Sequence, residues 1–536
     1  MITENKLKKA IHETKRLGTY LLLNKRHMFL GAGLAAFSIA LVVSLPYITM
    51  VREFLQIRSI LDDPDYLYQL PEQVLEVNEE IIIAEKPASF SNYKGTPNSN
   101  RNAYFGDLHV HTALSFDAYA FGATASPSDA YRYAKGEAID HPSGFSMQLD
   151  RPLDFYAVTD HAMVLGLNKE AAEGSTAILG KEISALVNNL NAEGNDHWTK
   201  NSRRLLTFAR TGIEVPKRVA DGNIDQSDVA RITQNAWLDT IRAADAYYDP
   251  GTLTTFVAFE YTTGIGYAVQ LHRNVIFRSS DRLPKEPFSR YHSQNPEGLW
   301  DWMDGLRDKN IETLAIPHNS NRSDGQMFEL EDWAGDPLDD DYTEQRLRNE
   351  PLVEITQVKG TSDTHPLLSK NDEWAFFEID SPENIGSYVR SAYLRGLSIE
   401  AGGVLNPYKF GLIGSSDTHV AASSIDETNF HGKVGIIDGK PEGRESVPIT
   451  GMRRFLQNTF LPPLTVEVEG RIYEGRGRQR WGASGLAGVW AEENTREAIY
   501  DAFRRKETFA TTGPRIKVRF FAGYDWTDEM LQSEDM

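Results

Sequence analysis

The 536-residue chain contains no cysteine, and this absence excludes several kinds of site at once. Disulfide bonds, thiolate zinc sites and cysteine nucleophiles all need a side chain that the sequence does not supply. Basic residues are also too few to balance the acidic ones, because 56 lysines and arginines stand against 76 aspartates and glutamates, a formal net charge of -20. A surface of that sign repels nucleic-acid phosphates, so we expect no nucleic-acid partner.

Two common catalytic motifs are missing as well. The sequence has no Gly-x-Ser-x-Gly turn to present a serine nucleophile, and no glycine-rich phosphate loop that ends in Lys-Ser or Lys-Thr. Hydrophobic residues make up 40% of the chain and charged residues 25%. This balance is typical of a globular protein rather than a disordered one.

An uncharged apolar run stands near the N-terminus, from Met28 to Val51. A bilayer core needs about 20 such residues in a helix, and a buried core helix would usually show a polar face that this run lacks. Seven basic and two acidic residues precede the run, which predicts a cytoplasmic N-terminus. A cleaved signal peptide would have a shorter apolar segment followed by small residues. We therefore predict a basic tail at 1–27, a single-pass transmembrane anchor at 28–51, and a catalytic domain on the periplasmic side of the cell inner membrane.

Beyond the anchor, residues 52–102 predict a stalk and a linker rich in Pro, Ser, Asn and Gly. From Tyr104 onward, short apolar runs alternate with longer segments of helical pattern. The runs that predict strands are Tyr104–Leu108, Phe155–Thr159, Phe256–Phe259, Thr313–Ile316, Leu352–Val358 and Phe410–Ile413. Strands that alternate with helices predict an α/β fold with a parallel sheet, and reactive residues at the strand ends predict a TIM-like barrel.

The predicted barrel spans residues 103–440, and residues 441–536 form a C-terminal extension. Within the extension, Thr495–Arg505 predicts a helix and Ile516–Phe521 predicts a strand. Because no linker separates the two parts, we expect the extension to pack on the barrel.

His109 and His111 are two residues apart at the end of a predicted strand. Side chains at positions i and i+2 of a strand project from one face, so both imidazoles can reach one ion. Other strand ends carry further imidazoles and carboxylates, and the full candidate set is His109, His111, Asp117, His161, Glu260, His272, His318, Asp417 and His419. A single strand-terminal histidine is more often structural, but six of the 13 histidines fall in this set.

The residue types of this set predict the kind of ion. Imidazole and carboxylate together favour Zn, Mn or Fe over Ca or Mg. The set is too large for one ion, so we predict two to three divalent ions, with Glu260 as a bridge. Asp363–His365 has the same residue types as Asp417–His419 but follows a turn-like Lys359-Gly360. We choose the second motif because an apolar run leads almost directly into it.

These motifs resemble those of the polymerase and histidinol phosphatase (PHP) family of metal-dependent phosphoesterases, and more closely a large branch of it labelled as a domain of unknown function. The resemblance runs from Tyr104 to His419 and includes Phe509–Arg515. It implies a distorted PHP-type β/α barrel, a site for up to three divalent metals and hydrolysis of a phosphate ester. The stretch from Ala162 to Thr255 is long for this family and predicts a helical insertion that reshapes the substrate pocket.

Metal coordination lowers the pKa of water to about 7, so the predicted nucleophile is a hydroxide that bridges two ions. Glu260 and Asp160 are the predicted catalytic carboxylates, with Asp160 orienting His161 or handling a proton. Arg273, Lys359 and Arg515 are candidates for contacts with the substrate phosphate. The resulting prediction is a membrane-anchored phosphomonoesterase or phosphodiesterase with a small-molecule substrate.

Other functions remain open from the sequence. A metal-dependent amidohydrolase also begins with His-x-His, although that family ends with a lone Asp and often uses a carboxylated Lys. A sulfate-ester or phosphonate-ester hydrolase would use the same metals. A membrane-tethered binding or sensor protein with a spent catalytic domain would have lost ligands, and none is missing here.

Overall fold

The computed structural model describes residues 48–53, 55–57, 59, 72–83, 95–173, 180–264, 269–379, 384–460, 465–475, 477–523, 525 and 527–532. Most of the predicted transmembrane segment, 28–51, lies outside the described residues. Within the described ranges, no helix is long and apolar enough to cross a membrane. The transmembrane helix in our predicted fold is therefore not supported, and the inner-membrane location drawn from it stays a prediction.

The strands are numbered along the chain. They are β1 (Ile81–Ile83), β2 (Asn102–Asp107), β3 (Ile139–Asp140), β4 (Ser146–Met147), β5 (Phe155–Val158), β6 (Thr254–Tyr261), β7 (Arg273–Phe277), β8 (Arg282–Pro284), β9 (Thr313–Pro317), β10 (Leu352–Gln357), β11 (Gly360–Thr361), β12 (Gly411–Gly414), β13 (Thr465–Val468), β14 (Arg471–Glu474), β15 (Leu486–Ala491) and β16 (Thr508–Thr511). The six strands predicted between Tyr104 and Ile413 are confirmed, as β2, β5, β6, β9, β10 and β12.

The helices surround these strands and fill the long connections. They are α1 (Phe116–Phe121), α2 (Pro127–Ala134), α3 (Leu167–Glu173), α4 (Gly180–Val187), α5 (Asn201–Ala209), α6 (Val215–Ala220), α7 (Gln226–Tyr247), α8 (Pro296–Asp308), α9 (Asp340–Asn349), α10 (Val389–Ala401), α11 (Gly451–Phe460) and α12 (Arg496–Arg505). Helices α3 to α7 occupy the long stretch between Ala162 and Thr255, where the sequence predicted a helical insertion.

The main sheet has seven strands in the order β16-β15-β2-β5-β6-β7-β9. Strands β2, β5 and β6 are parallel, whereas β7, β9, β15 and β16 each run antiparallel to the neighbour through which they join the sheet. A second sheet, β11-β10-β12, lies beside the two edges of the first, with β10 near β9 and β12 near β16. Among the described residues, ladder hydrogen bonds do not join the two sheets.

The predicted TIM-like barrel with a parallel sheet is therefore wrong, and the fold is a mixed α/β arrangement around a curled half-barrel sheet. One reason lies between β6 and β7. The connection from Thr262 to His272 is too short for the crossover of a dozen or more residues that parallel strands require. Strand β7 consequently returns antiparallel to β6, with Glu260 opposite Asn274.

The C-terminal region contributes directly to this sheet. Strand β15 pairs with β2 on one side and with β16 on the other. The predicted helix Thr495–Arg505 is confirmed as α12. The predicted strand Ile516–Phe521 is wrong, since these residues are exposed and irregular. The carbonyl of Val518 instead accepts a hydrogen bond from the Trp490 indole at 2.8 Å.

A continuous apolar core fills the inside of the curled sheet. Side chains from strands of both sheets meet there, including Leu108, Phe256, Leu352 and Val489, and α12 packs against them. A second core lies on the outer face and joins α2, α7 and α8 to the sheet. At one end of the curled sheet lie the carboxyl ends of β2, β5, β6, β9 and β12. The antiparallel β7 has its amino end there. The apolar core thus holds these strand ends together, and the candidate ligands can meet there.

Candidate metal centre

His109 and His111 follow β2 directly, and backbone hydrogen bonds connect their segment to the Asp417–His419 segment beyond β12. The amide of Asp417 donates to the His109 carbonyl at 2.9 Å, and the amide of His111 donates to the Thr418 carbonyl at 2.8 Å. Asp417 has a φ of 56°, a left-handed conformation that aspartate tolerates better than most side chains. Two motifs about 300 positions apart in the sequence therefore meet through their backbones.

Eight of the nine candidate ligands gather into three overlapping groups, within each of which the ligand atoms lie within 4.8 Å of one another. All their side chains are buried. The groups are His111 with Asp117, His161 and His419; His109 with Glu260 and His318; and His109 with His111 and Asp417.

Glu260 lies at the centre of the cluster, with imidazole nitrogens around both carboxylate oxygens. Oε2 is 3.3 Å from His109 Nε2 and 3.2 Å from His111 Nε2. Oε1 lies near three further imidazoles, at 3.1 Å from His161 Nδ1, 2.7 Å from His272 Nδ1 and 3.6 Å from His318 Nε2. His272, which the three groups do not include, thus joins the cluster through Glu260. Both oxygens of this carboxylate therefore face candidate ligand imidazoles.

Asp117 occupies the other end of the cluster. Its Oδ2 atom lies 3.2 Å from His161 Nε2 and 2.7 Å from His419 Nε2. Burial alone would raise the pKa of Asp117, but His419 and His161 hold this pKa well below its usual value. The carboxylate therefore stays ionised and available as a ligand.

The donor atoms fit divalent ions. Among the described residues, His111 Nε2 and both ring nitrogens of His318 are buried without a hydrogen-bond partner, which is costly unless another group satisfies them. Burial, together with His419 and His161, lowers the pKa of His111 to about 3. Burial also lowers the pKa of His272 to about 4, against the effect of Glu260. In the neutral form, His111 and His272 keep the lone pair that a metal ion needs.

Residues 98–536 match the model of a family described as Protein of unknown function (DUF3604). The chain belongs to this family. The match agrees with the predicted branch of unknown function, whereas membership of the wider PHP family stays a prediction. No curated protein matches the sequence.

One solved structure, from Bacteroides vulgatus ATCC 8482, is weakly similar to this family member. It is described as a two-domain protein containing a predicted PHP-like metal-dependent phosphoesterase. The similarity covers 78% of this chain and 67% of the other, at 10% sequence identity and a TM-score of 0.31. At this level of similarity, the function has to be argued from the site itself.

Neighbouring side chains orient the imidazoles. His109 Nδ1 donates to Glu354 Oε2 at 2.8 Å, which directs Nε2 toward Glu260. His111 Nδ1 lies 2.8 Å from Ser115 Oγ, and His161 Nδ1 lies 2.5 Å from Thr262 Oγ1. Glu354 was not among the predicted site residues. Its one signal in the sequence is a carboxylate inside the apolar run that forms β10. In the structure, this residue is 2% exposed.

We expect Glu354→Gln to weaken metal binding by about tenfold, because partners that fix a ligating histidine typically contribute 10–100-fold in metal affinity. The substitution keeps the size of the side chain but removes the charge behind His109. Competition with a chromophoric chelator would measure the affinity. Glu344→Gln, on α9 outside the ligand groups, is the matched control. An unchanged affinity in Glu354→Gln would contradict the role assigned to this contact.

Asp160 binds the turn that follows His111. Its Oδ1 accepts from the Thr112 amide at 2.5 Å and its Oδ2 accepts from Thr112 Oγ1 at 2.6 Å. Burial raises the pKa of Asp160 to about 6 although both bonds act to lower it. Through these contacts Asp160 holds the His111–Thr112 backbone, and its role in orienting His161 or handling a proton stays a prediction.

Of the three predicted phosphate contacts, the structure places Lys359 at the cluster, where Nζ lies 2.6 Å from Asp417 Oδ2. Arg273 is buried and bonds through Nε to Glu350 Oε1 at 2.8 Å. Arg515 donates to the Arg151 carbonyl and lines a separate cavity of about 700 Å³. Neither arginine is brought to the ligand groups.

Two further polar residues at the site carried no recognisable sequence motif. Asp107 accepts hydrogen bonds from the amides of His109 and Ser416, at 3.1 and 3.0 Å, and so ties the two ligand segments together. Lys433 lies with Nζ 2.9 Å from Asp417 Oδ1. Burial lowers the pKa of Lys433 to about 8, although Asp417 acts to raise it. The alternative motif Asp363–His365 lies elsewhere, with the His365 ring 5.3 Å from that of Tyr388.

Proposed function

We propose that this protein is a metal-dependent hydrolase of phosphate esters. The observation that carries the proposal is the buried cluster around Glu260, where the three ligand groups meet. Among the described residues, His111 Nε2 and both ring nitrogens of His318 have no hydrogen-bond partner there. A structural network would satisfy those nitrogens within the protein, whereas the described part of the chain gives them no hydrogen-bond partner. The cluster is therefore better suited to holding ions than to stabilising the fold.

The ligand groups would hold two or three divalent ions of the Zn, Mn or Fe type. Such ions supply activated water and neutralise charge on a phosphoryl group. Glu260 would bind the ions through both of its carboxylate oxygens, since each oxygen faces a different set of imidazoles. Asp160 and Asp107 would keep the ligand-bearing backbone in place through their bonds to Thr112, His109 and Ser416.

The charges beside the ligands favour an anionic substrate over a neutral amide. Lys359, with 11% of its side chain exposed, lies at the edge of the cluster, and Lys433 adds a second ammonium group behind it. Positive charge in a cleft attracts and orients a phosphate group. The His-x-His and Asp-x-His motifs, which resemble those of PHP phosphoesterases, support the same substrate class.

The test uses the full chain, stripped of metal and reloaded with Mn or Zn. Phosphate release from aryl phosphate monoesters and diesters would be compared with hydrolysis of an aryl sulfate and an aryl amide. We expect phosphate release that a chelator stops and that Asp417→Ala/His419→Ala lowers by about 10³-fold or more.

Asp363→Ala/His365→Ala is the matched control, because it removes the same residue types from the alternative motif outside the ligand groups. This variant should keep full activity. If the folded, metal-loaded protein hydrolyses no phosphate ester, the proposal is wrong. Turnover of the amide alone would favour an amidohydrolase instead.

A further inference from the structure

Asp417 is held by two ammonium groups, one on each carboxylate oxygen. Lys433 Nζ lies 2.9 Å from Oδ1, and Lys359 Nζ lies 2.6 Å from Oδ2. Lys433 Nζ is also 2.6 Å from His419 Nδ1. The Lys433 side chain is 3% exposed, so water does not screen its charge from the ligands. Within the described ranges, Asp117 and Glu260 pair with imidazoles instead.

Hydrogen bonds and a glycine hold the turn that carries Lys433 beside Asp417 and His419. The Lys433 carbonyl accepts from the His419 amide at 2.9 Å. The Asp438 carboxylate accepts from the amides of Lys433 and Val434, at 2.7 and 2.9 Å. Gly432 has a φ of +94°, and a Cβ added there would lie 2.7 Å from Asp438 Oδ1. Backbone contacts therefore fix the turn from which the Lys433 side chain reaches Asp417 and His419.

The ligands can be divided between ions in two ways. His109 Nδ1 is bonded to Glu354 and His111 Nδ1 contacts Ser115, so each ring has one nitrogen, Nε2, left for one ion. Two ions can share all the ligands, or three ions can take about three ligands each. In the second case, the third ion depends on His109, His111 and Asp417.

We propose that Lys359 and Lys433 make the group of His109, His111 and Asp417 the weakest ion site of the cluster, so that the centre holds two divalent ions tightly and a third loosely. This inference rests on the metal centre of the proposed function. Each ammonium repels a divalent ion near Asp417 and competes for the same carboxylate lone pairs. At this end of the cluster, the two lysine charges then neutralise the negative charge of a bound ester, as a third ion would.

The experiment counts ions and measures their stepwise affinities in the full chain. Stripped protein is titrated with Zn²⁺ or Mn²⁺ in competition with a chromophoric chelator, and the ions retained after desalting are counted by mass spectrometry. We expect wild type to retain two ions per chain and to lose the third. Lys359→Met/Lys433→Met, which keeps chain length but removes both charges, should bind the third ion roughly tenfold or more tightly.

Two variants keep the result interpretable. Lys409→Met removes a lysine that pairs with Glu400 outside the ligand groups, and it should leave all affinities unchanged. Lys433→Arg keeps the charge and should keep the wild-type stoichiometry. If thermal unfolding shows that the double variant does not fold, the same titration is done with Lys359→Met alone. Lys359 is the more exposed of the two lysines.

Three tightly held ions in wild type would overturn the inference. So would a third ion that binds more weakly in the methionine variant, because the lysines would then only support the ligands. Hydrolysis is scored separately from ion binding. A protein that binds two tight ions and hydrolyses no ester would keep this inference and refute the proposed function.

Discussion

Glu260→Gln is expected to abolish ester hydrolysis and to lower the metal content of the purified protein. Glu260 is 1% exposed and has five imidazoles around its two oxygens. Glutamine keeps the size of the side chain but replaces one oxygen with an NH₂ group, which binds no ion and would face ligand nitrogens. Because the substitution removes both the bridge and its charge, we expect kcat/KM to fall by about 10³-fold or more.

Two further variants separate charge from geometry at this position. Glu260→Asp keeps the charge on a shorter side chain, so it should retain more metal than Glu260→Gln while still losing most activity. Glu400→Gln, at an exposed carboxylate paired with Lys409, controls for the change of residue type. Metal content and turnover equal to wild type in Glu260→Gln would contradict the placement of this carboxylate at the centre of the site.

Much of the candidate site could be predicted because its ligands follow strands in short, regular motifs. The pairs His109/His111 and Asp417/His419 have the i, i+2 spacing that places two side chains on one face of a strand. Glu354 and Lys433 could not be predicted in this way. Glu354 approaches His109 from 245 positions away and Lys433 depends on a turn fixed by Asp438. The only local sign of either is the carboxylate of Glu354 inside an apolar strand.

In the fold, too, the positions of strands could be predicted from local sequence, whereas their pairing direction could not. Six apolar runs located buried strands correctly, since burial on both faces leaves a local pattern of hydrophobic residues, whereas the exposed segment Ile516–Phe521 was wrongly predicted as a strand. Pairing direction is not contained in such a run. The short link before β7 and the insertion of β15 beside β2 made the sheet mixed, where a parallel barrel was predicted. The antiparallel turn at β7 nevertheless brought His272 to Glu260.

Gly106→Ala is expected to destabilise the protein by about 3 kcal/mol, the upper part of the usual range for overpacking a core. Gly106 lies in β2 between Phe155 of β5 and Ala487 of β15. A Cβ added there would lie 2.2 Å from the Phe155 carbonyl oxygen and 2.3 Å from its ring. Because the nearest atom belongs to the backbone of a paired strand, rotating a side chain cannot relieve the clash, and β2 and β5 must separate.

Gly305→Ala provides a control of opposite sign. Gly305 lies inside α8, and a Cβ added there meets no atom within 4 Å. Alanine should therefore stabilise this helix by roughly 0.5–1 kcal/mol. Urea denaturation followed by tryptophan fluorescence would measure both variants. Equal stability of Gly106→Ala and wild type would show that β2 does not approach β5 this closely. Since β2 leads directly into His109 and His111, Gly106→Ala should also weaken metal binding, whereas Gly305→Ala should leave it unchanged.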